Sequence, residues 1–344
     1  MVGRQRIARR RSLAHPVIPI KAAPALSKRR GGFFSSSHRN HIKTMIKVSF
    51  VVTVYNKAPF LPGVIDALKN QQGDFEREYV FVNDGSTDNS WDIVKAETAG
   101  LPNVVLVDQF NQGVAIATNN GVRAASGDLI KLVDSDDILA PFCCQLLIQT
   151  LQDSNSDFVF AISGEHEETP VFEDPTTPEV VTFDDSLLSV IKHGYARVSH
   201  CLFKKDLFDR AQGCDERIFS QDHSLFIRLT THGKLAQVRH IVCSSPRDEP
   251  GRIMNNNAQV VHDATLALAY HLQDNPQLDP IHIRAAQKKI TSRIWKWAKR
   301  ELGMNQFSRA FWLFALSRCG VTLSAKELVK QCAIFREGVE IRRP

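Results

Sequence analysis

Between residues 47 and 162 apolar residues fall in short blocks separated by polar turns. Val48-Ser49-Phe50-Val51-Val52-Thr53-Val54 is a near-continuous apolar run of strand length, as expected of a strand buried on both faces. A turn at Tyr55-Asn56-Lys57 follows. Leu61, Val64, Ile65 and Leu68 then recur at helical spacing. Tyr79-Val80-Phe81-Val82 predicts a second strand. It ends in Asn83-Asp84-Gly85-Ser86-Thr87-Asp88, and a helix follows from about Asn89. Val104-Val105-Leu106-Val107 predicts a third strand, and Gly113 to Ala125 a helix rich in small residues. The fourth strand is Leu129-Ile130-Lys131-Leu132-Val133. A helix over Cys143 to Leu151 and a fifth strand over Phe158 to Ile162 complete the series.

This alternation over short connections predicts an α/β fold, a Rossmann-like, mainly parallel sheet with helices on both faces. In such sheets ligands bind beyond the carboxyl ends of the strands. The polar clusters Tyr55-Asn56, Asp84 and Asp134 to Asp137 fall there. Residues 164–186 are acidic and rich in Pro and Thr, which predicts an exposed loop; residues 187–245 are mixed. After Gly251 long helical patterns dominate, over Ala258 to Leu272, Ile283 to Leu302 and about Asn305 to Arg318. The expected organisation is a disordered basic tail over 1–44, an α/β domain over 45–250 and a helical extension over 251–344.

Charge sharpens this division. The 344 residues carry a net +6, but residues 1–44 hold eleven Lys or Arg and no acid, which leaves −5 for the body. An acidic body argues against a nucleic-acid-binding domain, despite a pI near 8.9. The tail has three readings: an organelle transit peptide, an anchor to anionic lipid, or a leader upstream of a true start at Met45, which is favoured. Seven scattered cysteines without a Cys-x-x-Cys pair point to reduced thiols in a cytoplasmic protein, with no structural zinc. No stretch has the apolar length of a membrane span; Phe311 to Leu316 is too short and is closed by Arg318.

The densest polar cluster is Asp134-Ser135-Asp136-Asp137 after the fourth strand. Carboxylates at a strand end are costly unless solvent, donors or a cation take up their charge. If strand geometry continues, Asp134 and Asp136 share a face. Mg²⁺ usually takes one or two carboxylates plus substrate phosphates, so this is a candidate metal–diphosphate site. A solvated turn with Asp137 capping the next helix fits the same residues.

Taken together, the residues resemble a family 2 glycosyltransferase with the GT-A fold over about 47–250. Val48 to Asn56 resembles the first strand of that family and its V-Y-N ending. Asn83-Asp84-Gly85-Ser86-Thr87-Asp88 matches its D-G-S-x-D segment, and Asp134-Ser135-Asp136 its D-x-D signature. Asn111-Gln112-Gly113 with Asn119-Asn120-Gly121 resembles N-x-G…R-N-x-G, with Thr118 in place of Arg. Ser220-Gln221-Asp222 with Leu225 and Arg228 resembles E-D-x-x-L-x-x-R, with Gln221 in place of Glu. The resemblance implies an inverting, metal-assisted transfer of a sugar from a nucleotide-sugar donor, UDP-linked, to an acceptor hydroxyl, as in cell-surface polysaccharide synthesis. By the same resemblance Asp222 is the base. Asp136 with Mn²⁺ or Mg²⁺ stabilises the leaving diphosphate, Asp134 meets ribose or sugar, and Asp84 meets the nucleobase edge. Val54, Tyr55 and Asn56 line the nucleotide pocket. The acceptor is an unidentified glycan, lipid-linked group or protein, and nucleic acid is not a partner.

Other readings stay open. Gln221 and Thr118 admit a non-catalytic nucleotide-sugar-binding scaffold, against which Asp134, Asp136 and Asp222 argue. His200 and His240 are ordinary histidines or extra ligands. The aromatic residues Trp295, Trp297, Phe311 and Trp312 mark the C-terminal helices as packing on the body, self-associating, or meeting the inner face of a membrane.

Overall fold

The blocks expected between residues 47 and 162 fold as expected in the computed structural model, which describes residues 45–195, 197–247, 256–337 and 339–342. The expected basic tail lies outside the described residues. In order the elements are β1 (Lys47–Val54), α1 (Leu61–Lys69), β2 (Glu76–Asp84), α2 (Ser90–Thr98), β3 (Val104–Gln109), α3 (Val114–Ala124), β4 (Leu129–Asp134), β5 (Ile138–Leu139), α4 (Cys143–Asp153) and β6 (Phe158–His166). The mixed region resolves into β7 (Val180–Thr182), α5 (Ser186–His193), β8 (Cys201–Lys204), α6 (Lys205–Ala211), α7 (Gln221–His232) and β9 (Leu235–Pro246). Then come α8 (Asn257–Asp274), α9 (Pro280–Arg300), α10 (Arg309–Arg318) and α11 (Ala325–Gln331).

The nine strands form one sheet, in the order β3-β2-β1-β4-β8-β6-β9-β5, with β7 on β9. β3, β2, β1 and β4 are parallel and in register, so Thr53 lies opposite Asp134, Val54 opposite Asn83, and Asp84 opposite Gln109. Register alone therefore gathers the polar strand ends along one carboxyl edge. Beyond β4 the sheet is mixed: β8 runs antiparallel to both β4 and β6. Only four residues long, β8 carries no periodicity that would announce its direction. The expected loop over 164–186 is also partly strand, through the end of β6 and through β7.

Alternation along β1 builds two apolar layers. Phe50, Val52 and Val54 face α1 and α4. Val51, with Val80 and Val82 of β2, faces the layer of α3 and α7. Gly121 lets α3 approach the sheet closely: a Cβ there would stand 2.5 Å from Val51 Cγ1 and 2.9 Å from Val82 Cγ2. The second layer continues without a break into α8 and α9 and ends on Phe335. Three of the four aromatic residues expected to pack on the body or form a contact surface belong to this packing. Trp297 is buried against Phe335, and Trp295 meets Phe311 edge to face at 5.2 Å, leaving Trp312 exposed.

Candidate active site

β4 ends on Asp134, whose carbonyl accepts the Asp137 amide at 3.0 Å. This closes a tight turn and turns Asp136 inward. Asp137 does not cap α4, because that helix begins nine residues after Asp134 with Phe142 at its N-cap. The Asp134 amide donates to Ser199 Oγ at 2.9 Å. The fully buried Lys131 ammonium donates to the carbonyls of Leu132 and Ser199. Together these bonds hold the loop before β8 against the end of β4.

Asp136 is 7% exposed, and its Oδ2 lies 2.6 Å from the ammonium of Lys57. Lys57 comes from the turn after β1, where its amide donates to Ser90 Oγ and its ammonium lies 5.2 Å from the centre of the Phe60 ring. Beside it Asn56 adopts φ +52°, a left-handed conformation that Asn tolerates better than most residues. Its Oδ1 accepts the Thr87 amide at 2.7 Å, which staples the β1 turn to the loop after β2. Asp88 in that loop accepts the amides of Ser90 and Ala58. Burial alone would raise the Asp88 pKa; these hydrogen bonds outweigh it and lower it.

Asp84 is buried, and three donors reach its carboxylate: Gln109 Nε2 and the Gln112 amide at 2.9 Å on Oδ1, and the Gly113 amide at 3.1 Å on Oδ2. It therefore shapes the loop into α3. A carboxylate has about four acceptor positions, so a nucleobase donor would take the last. Val54 lies differently from the expected pocket wall. Its side chain is fully buried in the α1–α4 layer, because residues of that parity point into the sheet's apolar face, so only its backbone faces the strand-end edge. Tyr55, next in sequence, is 43% exposed.

Asp222 sits in the first turn of α7. Its Oδ1 accepts Ser220 Oγ at 2.8 Å and the His223 amide at 2.7 Å, which fixes the carboxyl's orientation. Gln221 is buried, and its Nε2 reaches Asp134 Oδ1 at 3.4 Å. That long contact joins the start of α7 to the end of β4, so two segments 87 residues apart meet at one edge.

The start of α7 is braced from behind. The Ser220 amide donates to Asp263 of α8 at 3.1 Å, and Asp263 is itself held by Gln259 and His262. Arg217 pairs with Asp215 and with Asp274 at the end of α8, and stacks on Tyr270. From the other side the buried Asn119 of α3 accepts the Cys214 amide at 2.8 Å. Its amide group donates to the Cys214 carbonyl and to Glu216. Lys57, Ser199 and Asp263 are the positioning residues that the sequence pattern did not reveal, while Asn119, already within the N-x-G match, acquires its role from these contacts.

The remaining candidates lie apart from these carboxylates or are inert. Thr118 is buried in α3. Arg228 lines a polar cavity of about 270 Å³ between α7 and α8, with Asp215, Ser224 and His271. His240 bonds the Glu173 carbonyl at 2.8 Å and belongs to the β9 surface. His200 is buried beside Phe160 and Phe226, and among the described residues neither ring nitrogen has a hydrogen-bond partner. Burial, then Lys131 and Arg197, pushes its pKa down to about 3, so it is neutral.

The donor set suits a hard divalent cation. Asp136 is an oxygen donor that already holds one positive group, and Asp134 lies two residues away. Among the described residues no cluster of three His, Cys, Asp or Glu forms a complete cage. A site offering one or two carboxylates and leaving other positions to phosphate oxygens fits Mg²⁺ or Mn²⁺ better than structural zinc. Among the described residues the cysteines are all free thiols.

Comparison with known proteins bears on the family and the fold. Residues 49–211 match the family model described as "Glycosyl transferase family 2". A protein of Bacillus subtilis described as "Putative glycosyltransferase EpsH" is 36% identical over 123 residues, covering 36% of this chain and 35% of that protein. The matched segments span about a third to a half of the length of the curated relatives. In structure the chain is similar to S. aureus TarS 1-349 in complex with UDP-GlcNAc, with a TM-score of 0.54 and 14% identity over 86% of this chain and 93% of that one. It is also similar to the mannosyltransferase PcManGT of Pyrobaculum calidifontis in complex with GDP-Man and Mn²⁺, with a TM-score of 0.55 and 18% identity over 86% of each. At these identities the structural likeness is one of fold.

Proposed function

With residues 49–211 forming a glycosyl transferase family 2 domain, we propose that this protein transfers a sugar, with inversion, from a nucleotide-sugar donor to an acceptor hydroxyl. The observation that carries this reading is the contact between Gln221 and Asp134. It brings a carboxylate with one oriented oxygen, Asp222, to the edge where Asp134 and Asp136 emerge. An inverting displacement needs that separation of roles, with a base on one segment and charge stabilisation of the leaving diphosphate on another.

In this mechanism Asp222 accepts the proton of the acceptor hydroxyl, its orientation held by Ser220 and the His223 amide. Asp136, with Asp134 beside it, would hold Mn²⁺ or Mg²⁺, which neutralises charge on the departing nucleoside diphosphate. Lys57, already against Asp136, supplies a second positive group on the same side. Tyr55 and the loop that Asp84 shapes border the nucleotide, and Asn56 fixes that border through the Thr87 amide. The donor is UDP-linked, and the reaction takes place on the cytoplasmic side.

The test is a donor screen with UDP, GDP and dTDP sugars, each with Mn²⁺ or Mg²⁺, followed by two variants. Asp222→Asn should keep nucleotide affinity within a few-fold while turnover falls by about 10²–10⁴-fold. Asp136→Asn should lose both. Normal turnover in Asp222→Asn would refute the assignment of the base. Gln221, standing where the family pattern has Glu, supports one rival: a protein that binds the donor without transferring it. Donor binding with no transfer to any acceptor would favour that rival.

A further inference from the structure

The charge of the chain is concentrated in a place the transfer reaction does not use. Residues 280–318, covering α9 and α10, hold nine Lys or Arg and a single acid, Glu301. With +11 in residues 1–44 and +8 here, the net +6 of the chain leaves −13 elsewhere. α9 itself contains no carboxylate. A groove of about 550 Å³ runs between α5 and α9, rimmed by Lys192, Arg284, Lys288, Lys289 and Arg318 and floored by Leu188, Ile191 and Ile281. Among the described residues none of the five cations is ion-paired. Lys289 donates to the Lys192 carbonyl at 3.1 Å and Arg318 to Ser292 Oγ at 2.8 Å. Burial, then Arg293 close by, holds the Lys289 pKa down to about 7. Lys192, Arg284, Lys288 and Arg318, without an ion-pair partner among the described residues, repel one another and call for an anion, which would also favour the charged form of Lys289.

A second observation says what kind. α10 packs along α9 through Trp295 against Phe311 and through the bond between Thr291 and Ser317. Its outer face carries Trp312, 54% exposed, and Leu316, one helical turn on. Phe307, 79% exposed, and Val321 flank the helix at its two ends, and Ile281 opens α9 beside the groove. Arg318 lies both at the end of α10 and in the groove wall, so the basic groove and the apolar ridge are continuous. Nucleic acid would use the cations but has no use for exposed Leu, Ile and Val. A surface with phosphate headgroups above acyl chains uses both.

We propose that the α9–α10 face is a peripheral membrane-binding surface for anionic phospholipid, with headgroup phosphates in the α5–α9 groove and Phe307, Trp312 and Leu316 in the interface. The acidic remainder of the body orients this face toward the lipid, because it is repelled by the same surface.

The test is co-sedimentation of the full chain with vesicles of phosphatidylcholine alone or mixed with phosphatidylglycerol. Binding should require phosphatidylglycerol and should weaken in high salt. Arg284→Gln, Lys288→Gln and Arg318→Gln together should reduce partitioning by about 10²-fold, from about fivefold per cation. Trp312→Ser with Leu316→Ser should reduce it by at least about tenfold. Each variant keeps residues 1–44, so any binding by the tail is common to all. Wild-type affinity in the charge variant would overturn the proposal. So would displacement of the protein from vesicles by poly(U) with no loss in the apolar variant, which would indicate a nucleic-acid surface. If a variant fails to fold, brominated phosphatidylcholine gives an independent reading on the wild type. Its tryptophan emission should be quenched on binding, and vesicle binding without quenching would overturn the proposal.

Discussion

Replacing Lys57 by Met removes the ammonium beside Asp136 and over the Phe60 ring and keeps a side chain of similar length. At 2.6 Å and an effective dielectric constant of about 20, the gross attraction of this pair is about 6 kcal/mol, much of it offset by desolvation. The Asp136 side chain is 9% exposed and that of Lys57 26%. The net cost of breaking the pair therefore falls between that of an exposed pair, about 0–1 kcal/mol, and that of a buried one, about 3–5 kcal/mol. We expect about 2 kcal/mol, which for a chain of this size is a fall in Tm of about 4 °C. Differential scanning fluorimetry without metal reads this directly. The variant carries a second expectation. If Asp136 is the cation-binding carboxylate, Lys57 competes with the cation for it. Mn²⁺ alone should then raise the Tm of Lys57→Met more than that of the wild type, and Mn²⁺ with UDP should close most of the gap. Equal Tm values without metal would show that the pair contributes nothing. An equal response to Mn²⁺ would show that Asp136 does not carry the cation.

Other expectations follow from particular contacts. Burial would raise the Glu78 pKa, but hydrogen bonds from Ser126, Ser49 and Lys47 hold it at about 2, a displacement worth on the order of 3 kcal/mol. That contribution is present above the unfolded value near 4.5 and is lost as pH falls toward 2. Urea unfolding of Glu78→Gln should therefore show a large loss near neutral pH that shrinks in acid; a pH-independent loss would contradict the assignment. Asn119→Ala leaves the Cys214 amide unpaired and should cost about 2–3 kcal/mol by the same assay, with turnover falling further as the segment before α7 loosens. Gly121→Ala should cost about 1–3 kcal/mol, because its Cβ must displace Val51 and Val82; an unchanged urea midpoint would show that α3 can shift freely. Excess EDTA should abolish UDP binding measured calorimetrically, and undiminished affinity would remove the metal from the site.

The parallel half of the sheet was legible because each of its strands is an apolar run bounded by turn residues, and such runs have no other use in a short α/β unit. Asp134, Asp136 and Asp84 were legible for the same reason: a carboxylate directly after a buried strand must be held by something. What holds them was not. Lys57 lies 79 residues from Asp136, and Ser199 lies 65 from Asp134. Neither contact leaves a local pattern, because a single hydrogen bond needs no periodicity. β8 was missed because four residues cannot display a period. Val54 meets the strand-end edge through its backbone alone, since its parity with Phe50 and Val52 sends its side chain into the core. Trp295 and Trp297 were expected to pack or to form a contact surface, and they pack: the apolar stripe of the long, cationic α9 is used by α10 and Phe335.

The bond from Ser220 to Asp263 has a consequence for where this protein can be cut or recombined. The family match stops at residue 211, before the candidate base, and the brace for that base comes from α8, some fifty residues downstream of the match. A fragment trimmed to the matched region would keep the carboxylates at the ends of β2 and β4 and lose Asp222. A chimera that exchanged the C-terminal helices for a relative's would have to keep partners for residues 214–222, since Arg217 and Ser220 there bond to Asp274 and Asp263 of α8. Inactivating substitutions should accordingly turn up in α8, in side chains that touch no substrate.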